Sequence, residues 1–293
     1  MSLAGCVRTS VIKVLDTGKV VNDLRSGTAD KISAWNKLKV FSISRSAAII
    51  YANTMLVATM RVQLNLMGAY MFKNTQQPLT AGNLDEVMQQ RYLTLCSYFL
   101  DEGIERLSSF IEKKVSEAVS TIKLTDQMSI RDLEQVYRAI MATILTDKTG
   151  DPIRNLASYM LPSKIEEQEE PLLKQMIIQT LDLLESEELR DLMQSSIRQG
   201  FVMLIDKISE YFIDVPSTDK LNNGINNDTE LKNGRFLDIN KITMPMAKII
   251  PIINGQVPDV AIQNDVPAEW LQRLIMDGML KSFGANVYEA FSF

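Results

Sequence analysis

Residues 31–72 read KISAWNKLKVFSISRSAAIIYANTMLVATMRVQLNLMGAYMF, and this stretch is the candidate for the central element of the fold. It holds five basic residues and no acidic one, and its centre, residues 47–60, is apolar on every face. No proline interrupts it, so a continuous helix here would be roughly 60 Å long at about 1.5 Å per residue. A helix that is apolar all round must be buried. The sequence therefore predicts a long central helix that the other helices surround.

A membrane-spanning helix is the alternative for this stretch, because residues 46–60 carry no charge. That run has 15 residues, whereas a bilayer requires about 20. Asn53 interrupts the run and Arg61 closes it. A buried helix of a soluble protein is the better interpretation, and its polar side chains then need hydrogen-bond partners on neighbouring helices. Those side chains are Asn53, Arg61, Gln63 and Asn65.

The composition excludes several classes of function. The chain has 293 residues, 46% of them hydrophobic, and only two cysteines, so it is typical of a soluble globular protein without a disulfide framework. It contains no histidine, which removes Ser-His-Asp and Cys-His nucleophile pairs and histidine-containing zinc sites. No phosphate-binding glycine motif is present. We therefore predict no enzyme activity, no metal, no cofactor and no small-molecule substrate.

The basic residues point to an acidic partner. The net charge is −5, yet residues 31–84 hold six basic side chains and no acidic one. A basic block in an acidic chain suggests an acidic partner for that region. Nucleic acid is not expected, because these residues are sparse and embedded in an apolar helix rather than spread over a polar face.

Helical periodicity extends over the rest of the chain. It predicts a helix over residues 3–25 that stops at Ser26-Gly27, and a second long helix that begins with a capping box at Asn83 and runs to about residue 122. Ser129 is predicted to cap a third helix, and Pro171 to open another. Residues 215–240, rich in Asn, Asp and Gly, are predicted to form a surface loop. The expected fold is all-α, a single elongated helical bundle of residues 1–293 around long central helices.

Two stretches resemble a known family. They are KLKVFSISRSAAIIYANTMLVATMRVQLNLMGAYMF at residues 37–72, and MAKIIPIINGQV at 246–257 taken together with FGANVYEAFSF at 283–293. Weaker matches lie at residues 129–137 and 199–212, in the same order along the chain. These stretches are similar to the peroxin-3 family of peroxisomal biogenesis factors.

The resemblance implies a helical cytosolic domain of a peroxisomal membrane protein. In the family, this domain docks the import receptor and chaperone peroxin nineteen, which carries newly made membrane proteins. A short amphipathic helix from the N-terminal segment of the receptor lies in a groove at one end of the bundle, centred on a tryptophan. Trp35 matches that tryptophan, and Leu24, Lys31, Leu38 and Lys248 match its groove neighbours. Taken alone, Trp35 fits a buried core position as well.

The chain departs from the family at its start. Members carry a membrane anchor before the first helix of the bundle, and this sequence begins where that helix is under way, so we expect a soluble, monomeric piece without the anchor. The remaining alternative is a helical scaffold or lipid-binding protein with an internal apolar cavity lined by residues 47–60. A docking groove would place Trp35 at a solvent-accessible rim, whereas a lipid carrier would have that cavity.

Overall fold

The computed structural model describes residues 3–27, 30–76, 84–162, 170–213, 241–262 and 265–293. Helices dominate these residues, which confirms the predicted all-α class. The predicted loop at 215–240 and the predicted cap Asn83 lie outside the described residues. The helices are α1 Leu3–Val14, α2 Thr17–Arg25, α3 Lys31–Gln76, α4 Glu86–Thr94, α5 Ile104–Ala118, α6 Ile130–Thr146, α7 Leu156–Met160, α8 Pro171–Leu184, α9 Glu187–Ile213, α10 Met246–Gly255, α11 Val266–Met276 and α12 Gly278–Ser292. A π-helical turn spans Phe99–Gly103, and the strands β1 Gln127–Met128 and β2 Met244–Pro245 pair antiparallel.

The central helix predicted from residues 31–72 is α3, a single helix of 46 residues. Its first turn is capped by Asp30, whose Oδ1 accepts a hydrogen bond from the Ser33 N–H at 2.9 Å. Every residue from 42 to 59 is buried, because α1, α2, α5 and α8 to α12 all pack against α3. The length and apolar composition of α3 would allow it to cross a membrane, but 89% of its most apolar window is buried inside the fold. This burial favours the core helix.

Three polar side chains of α3 donate hydrogen bonds to neighbouring helices, although the Oδ1 of Asn53 and the Oε1 of Gln63 are buried and accept no hydrogen bond from the described residues. Asn53 Nδ2 donates to the Pro267 carbonyl at 3.3 Å, Gln63 Nε2 to the Tyr92 carbonyl at 3.2 Å, and Arg61 Nη2 to the Ile275 carbonyl at 2.8 Å. Asn65 differs from the prediction, because its Nδ2 bonds to the Arg61 carbonyl of its own helix at 2.8 Å.

The helix predicted over residues 3–25 is in fact two helices, α1 and α2. Asp16 separates them, since its Oδ1 accepts from the Lys19 N–H at 2.9 Å and so caps α2. Leu15 stays fully buried at the junction, so the apolar spacing continues across the break and periodicity does not reveal it. The predicted stop at Ser26-Gly27 is confirmed: α2 ends at Arg25, and Gly27 has a φ of +85°.

The second long helix predicted from the sequence is also divided. It consists of α4, the π-helical turn and α5. A Cβ at Gly103 would collide with the Tyr159 carbonyl oxygen, so the glycine is what allows α7 to pack against the turn. Asp85 caps α4 by accepting from the Met88 N–H at 2.8 Å.

Local signals at two other helix starts are confirmed. Ser129 Oγ accepts from the Asp132 N–H at 3.3 Å, and Asp132 Oδ2 accepts from the Ser129 N–H at 2.8 Å, which completes a capping box at the start of α6. The carboxyl of Asp132 accepts hydrogen bonds from both the backbone N–H and the hydroxyl of Ser129, and these two bonds lower its pKa below the usual value. Pro171 occupies the first turn of α8.

Candidate helix-docking site

Four of the five predicted site residues lie where α2 ends and α3 begins. Lys31, Trp35 and Leu38 follow one another at helical spacings of four and three residues, so they share a face of α3. Leu24 is on the last turn of α2, a few residues earlier in the chain. Lys31 is exposed, Leu24 and Trp35 are partly exposed and pack against the core, and Leu38 is buried. This face therefore changes from charged to apolar along its length.

Lys248 reaches the same end of α3 from the other end of the sequence. The start of α10 is bound to the segment that follows α5, through the Ala247 N–H to the Leu124 carbonyl at 2.9 Å and the Met246 N–H to the Asp126 carbonyl at 2.9 Å. Lys39 of α3 is bound to the same segment, because its ammonium donates to the carbonyl oxygens of Val119 and Ile122. The start of α10, which carries the exposed Lys248, is therefore joined through this segment to Lys39 in the third turn of α3.

Lys39 has a structural role that separates it from the other lysines at this end. It is 3% exposed, and burial lowers the pKa of its ammonium group, partly offset by the nearby Asp126 carboxylate. Two carbonyl oxygens satisfy the ammonium donors and fix α3 against the end of α5. Lys31, Lys37 and Lys248 are instead exposed, so they can meet an acidic partner.

Ile32 is a candidate site residue that was not predicted from the sequence. This side chain is 71% exposed and lies three residues before Trp35 on the same side of α3. A sequence signal could have indicated this exposed side chain, because Ile32 is an apolar residue in the first turn of the helix, before its buried part begins. Ile32 and Trp35 give the start of α3 a partly exposed apolar side, and Lys31 and Lys37 are exposed on the same two turns.

The chemistry of this surface suits binding better than catalysis. Within the described ranges, no cluster of three or more acidic or cysteine side chains could hold a metal ion. The side chains in the first two turns of α3 are apolar, lysine, serine or asparagine, and the carboxylate of Asp30 caps the helix. An apolar strip with a basic rim is complementary to one face of an amphipathic helix that also carries acidic residues.

The alternative of an internal lipid cavity lined by residues 47–60 is not supported. Met60 is partly exposed and borders a groove beside α4, and residues 47–59 are all buried. Their side chains have almost no surface that water can reach, whether from outside or from an internal cavity, and the largest value among them is 9% at Val57. A groove of about 600 Å³ does lie between α6 and α9, with Tyr51 of this segment in its lining. None of the five predicted site residues lines that groove.

The family model and the relatives that match this chain all indicate the same family. The family model described as Peroxin-3 matches residues 69–290. Peroxisomal biogenesis factor 3 of Bos taurus is 29% identical over 318 residues, covering 100% of this chain and 80% of that protein, and its Homo sapiens counterpart is 27% identical over 315 residues with the same coverage. Peroxisome biogenesis protein 3-1 of Arabidopsis thaliana is 21% identical over 272 residues, covering 86% of this chain and 68% of that protein. The chain belongs to the peroxin-3 family.

Proposed function

We propose that this chain is a docking factor that binds the N-terminal amphipathic helix of the import receptor peroxin nineteen and so delivers membrane proteins to the peroxisomal membrane. Membership of the family gives the chain a role in peroxisome biogenesis and associates it with peroxisomes. The receptor, the membrane location and a bundle that faces the cytosol are parts of the proposal, as is the absence of catalysis.

One observation carries the proposal: a partly exposed tryptophan sits on an apolar surface that the rest of the bundle leaves uncovered. Trp35 packs one side against the core, and its neighbour Ile32 is 71% exposed. Large aromatic side chains in such positions are typical centres of binding energy. Lys31 lies one turn before Trp35 on the same face of α3, and both Lys31 and Lys248 are exposed, which favours an acidic, leucine-rich helix over a neutral one.

Tryptophan fluorescence tests the proposal directly, because the chain has only two tryptophans and the other, Trp270, is 2% exposed. Addition of the N-terminal helix of peroxin nineteen should shift the emission to shorter wavelength as Trp35 loses contact with water. The shift should be absent in Trp35→Phe and absent with a peptide of the same composition whose apolar stripe is scrambled. Saturable binding without any shift would move the docking surface away from Trp35, and no binding at all would refute the proposed receptor.

A further inference from the structure

A second, separate surface of the molecule is the groove between α6 and α9. Its volume is about 600 Å³, and its lining on α6 extends from Ile130 to Leu145, which corresponds to about 24 Å along a helix. Three buried rings form its floor: Tyr51–Phe201 have centroids 6.2 Å apart, and Tyr137–Phe201 have centroids 5.3 Å apart. Ile197, Val202 and Ile205 of α9 add aliphatic walls. The groove is therefore long, straight-sided and apolar.

The floor of the groove is fixed before anything binds. Tyr137 is hydrogen-bonded through its hydroxyl to Ser46 Oγ of α3 at 2.9 Å, and Phe201 is packed between two tyrosine rings. At the rim, Val202 is 57% exposed. Removing this aliphatic side chain from water would be favourable. A rigid apolar floor with an exposed aliphatic rim lowers the ordering cost of binding an apolar partner.

The charges at the rim distinguish the two ends of the groove. On α6, Arg138 forms an ion pair with Glu134, so these two charges offset one another. On α9, Arg198 and Asp206 also line the groove, and among the described residues neither side-chain charge has an ion-pair or hydrogen-bond partner. They lie eight residues apart, or about 12 Å along the helix axis. The groove thus offers one free positive and one free negative charge about two turns apart.

We infer that this groove binds one face of an amphipathic helix from a partner protein, a helix that carries an acidic residue opposite Arg198 and a basic residue opposite Asp206 about two turns away. A helix suits walls made of helices, because its own backbone groups are already hydrogen-bonded, whereas an extended strand would need an open sheet edge to pair with. The head group of an anionic lipid would match Arg198 but would supply no positive charge for Asp206. The apolar length with opposite charges at two levels therefore favours a helix and also fixes its direction.

The test uses the intact chain and a phage-displayed library of helical peptides of about 20 residues, with a fixed apolar stripe and randomised flanking positions. Val202→Asp is the blocking variant, because Val202 is exposed at the rim and its replacement leaves the core unchanged. Val87→Asp is the matched control: Val87 is 64% exposed on α4 and does not line the groove. Selected peptides should bind wild type and Val87→Asp equally and should bind Val202→Asp at least about tenfold more weakly. A library that yields no binders, or binders that Val202→Asp does not affect, would overturn the inference.

The direction of the bound helix gives a sharper readout. Recovered peptides should carry an acid and a base about two turns apart, and the double variant Arg198→Glu with Asp206→Lys should prefer peptides with those charges exchanged by roughly tenfold. Binders without this charge pattern would refute the assigned charges. Binding of phosphatidylcholine and phosphatidylserine vesicles that is lost in Val202→Asp, in the absence of peptide binders, would assign the groove to acyl chains instead. Trp35→Ala should leave peptide binding to the groove intact, so the result is independent of the proposed docking of peroxin nineteen.

Discussion

The two tryptophans of the chain have opposite environments, one within the central helix α3 and the other packed against it. Trp270 of α11 is 2% exposed, and its indole N–H donates to the Ile50 carbonyl at 3.3 Å and to Thr54 Oγ1 at 3.2 Å. Gly200 makes room for it, since a Cβ there would lie about 3 Å from the indole ring. Trp35, in the second turn of α3, is partly exposed and packs only one side against the core.

The difference shows that position along α3, rather than residue type, decides what a tryptophan does here. At the level of Ile50 and Thr54, α3 is enclosed by other helices and the indole becomes part of the core. Around Trp35 fewer elements surround α3, and part of the ring stays in water. The first environment predicts a stability effect when the ring is removed, and the second predicts a binding effect.

The largest expected effect is on folding stability at Trp270. Trp270→Ala should lower the free energy of unfolding by about 3–5 kcal/mol, because it removes a fully buried ring and leaves a cavity beside α3. Trp270→Phe keeps most of the apolar volume and loses the N–H donor, so it should cost only about 1–2 kcal/mol. Urea denaturation followed by circular dichroism measures both. If the alanine variant were as stable as the phenylalanine variant, Trp270 would not be a core residue.

The corresponding change at Trp35 should affect binding rather than folding. Truncation of a central aromatic anchor typically removes about 2–4 kcal/mol of binding free energy. At about 1.4 kcal/mol per factor of ten, Trp35→Ala should therefore lower the affinity for the peroxin nineteen helix by roughly 30- to 1000-fold. Its urea midpoint should stay close to wild type, because the ring is only partly buried.

Phe110→Ala is the matched control for Trp35→Ala. Phe110 is also an aromatic side chain that packs partly buried against the core, but it lies on α5, away from the start of α3. Isothermal titration calorimetry with the peroxin nineteen helix compares the two variants. Equal loss of affinity in both would indicate a general effect of destabilisation. A Trp35→Ala variant that unfolds while its folded fraction binds normally would assign Trp35 to the core and place the docking surface elsewhere.

The comparison also shows what the sequence could predict. Local signals worked well: the all-apolar centre predicted α3, and the cap at Ser129 and the proline at Pro171 are confirmed. Breaks at Asp16 and in the π-helical turn were missed, because apolar spacing continues through them and their causes are a side-chain cap and a close contact between Gly103 and α7.

The candidate site was predictable only in part. The spacing of Lys31, Trp35 and Leu38 places them on one face of a helix without any tertiary information. How much of Trp35 is exposed depends on which helices end beside it, and Lys248 arrives there through hydrogen bonds to residues more than 100 positions earlier. Ile32 and the groove between α6 and α9 went unpredicted for the same reason, since the lining of the groove combines side chains from α3, α6 and α9.

A smaller effect is expected from the lysines around Trp35. Lys31→Glu and Lys248→Glu should each slow association with the acidic helix by up to about tenfold and leave dissociation nearly unchanged, because exposed charges act mainly on the encounter. The effect should shrink as salt rises and screening increases. Lys113→Glu, an exposed lysine on α5, makes the same change in net charge and should have little influence. Stopped-flow kinetics at two salt concentrations measure the association rate constants. Equal rate constants for all three variants would contradict this prediction.

The smallest expected effect concerns acid stability on the Trp270 side. Glu269 precedes Trp270 in α11 and forms an ion pair with Lys207 of α9 at 2.9 Å. Hydrogen bonds from Lys207 and Arg273 lower the pKa of the Glu269 carboxyl below its usual value of 4.5. A carboxyl whose pKa is lower in the folded state stabilises the fold above its unfolded pKa, and this contribution is lost as the pH falls through the folded pKa.

Glu269→Gln should therefore lower the free energy of unfolding at pH 7 by less than about 1 kcal/mol and should flatten its pH dependence below about pH 4.5. Glu134→Gln is the control, because Glu134 belongs to an exposed pair with Arg138 on α6, away from Trp270. Urea titrations at pH 7 and pH 3 measure the difference. If Glu269→Gln lost as much stability between pH 7 and pH 3 as wild type does, the contact between α9 and α11 would owe nothing to the ion pair and would rest on the packing of Trp270 alone.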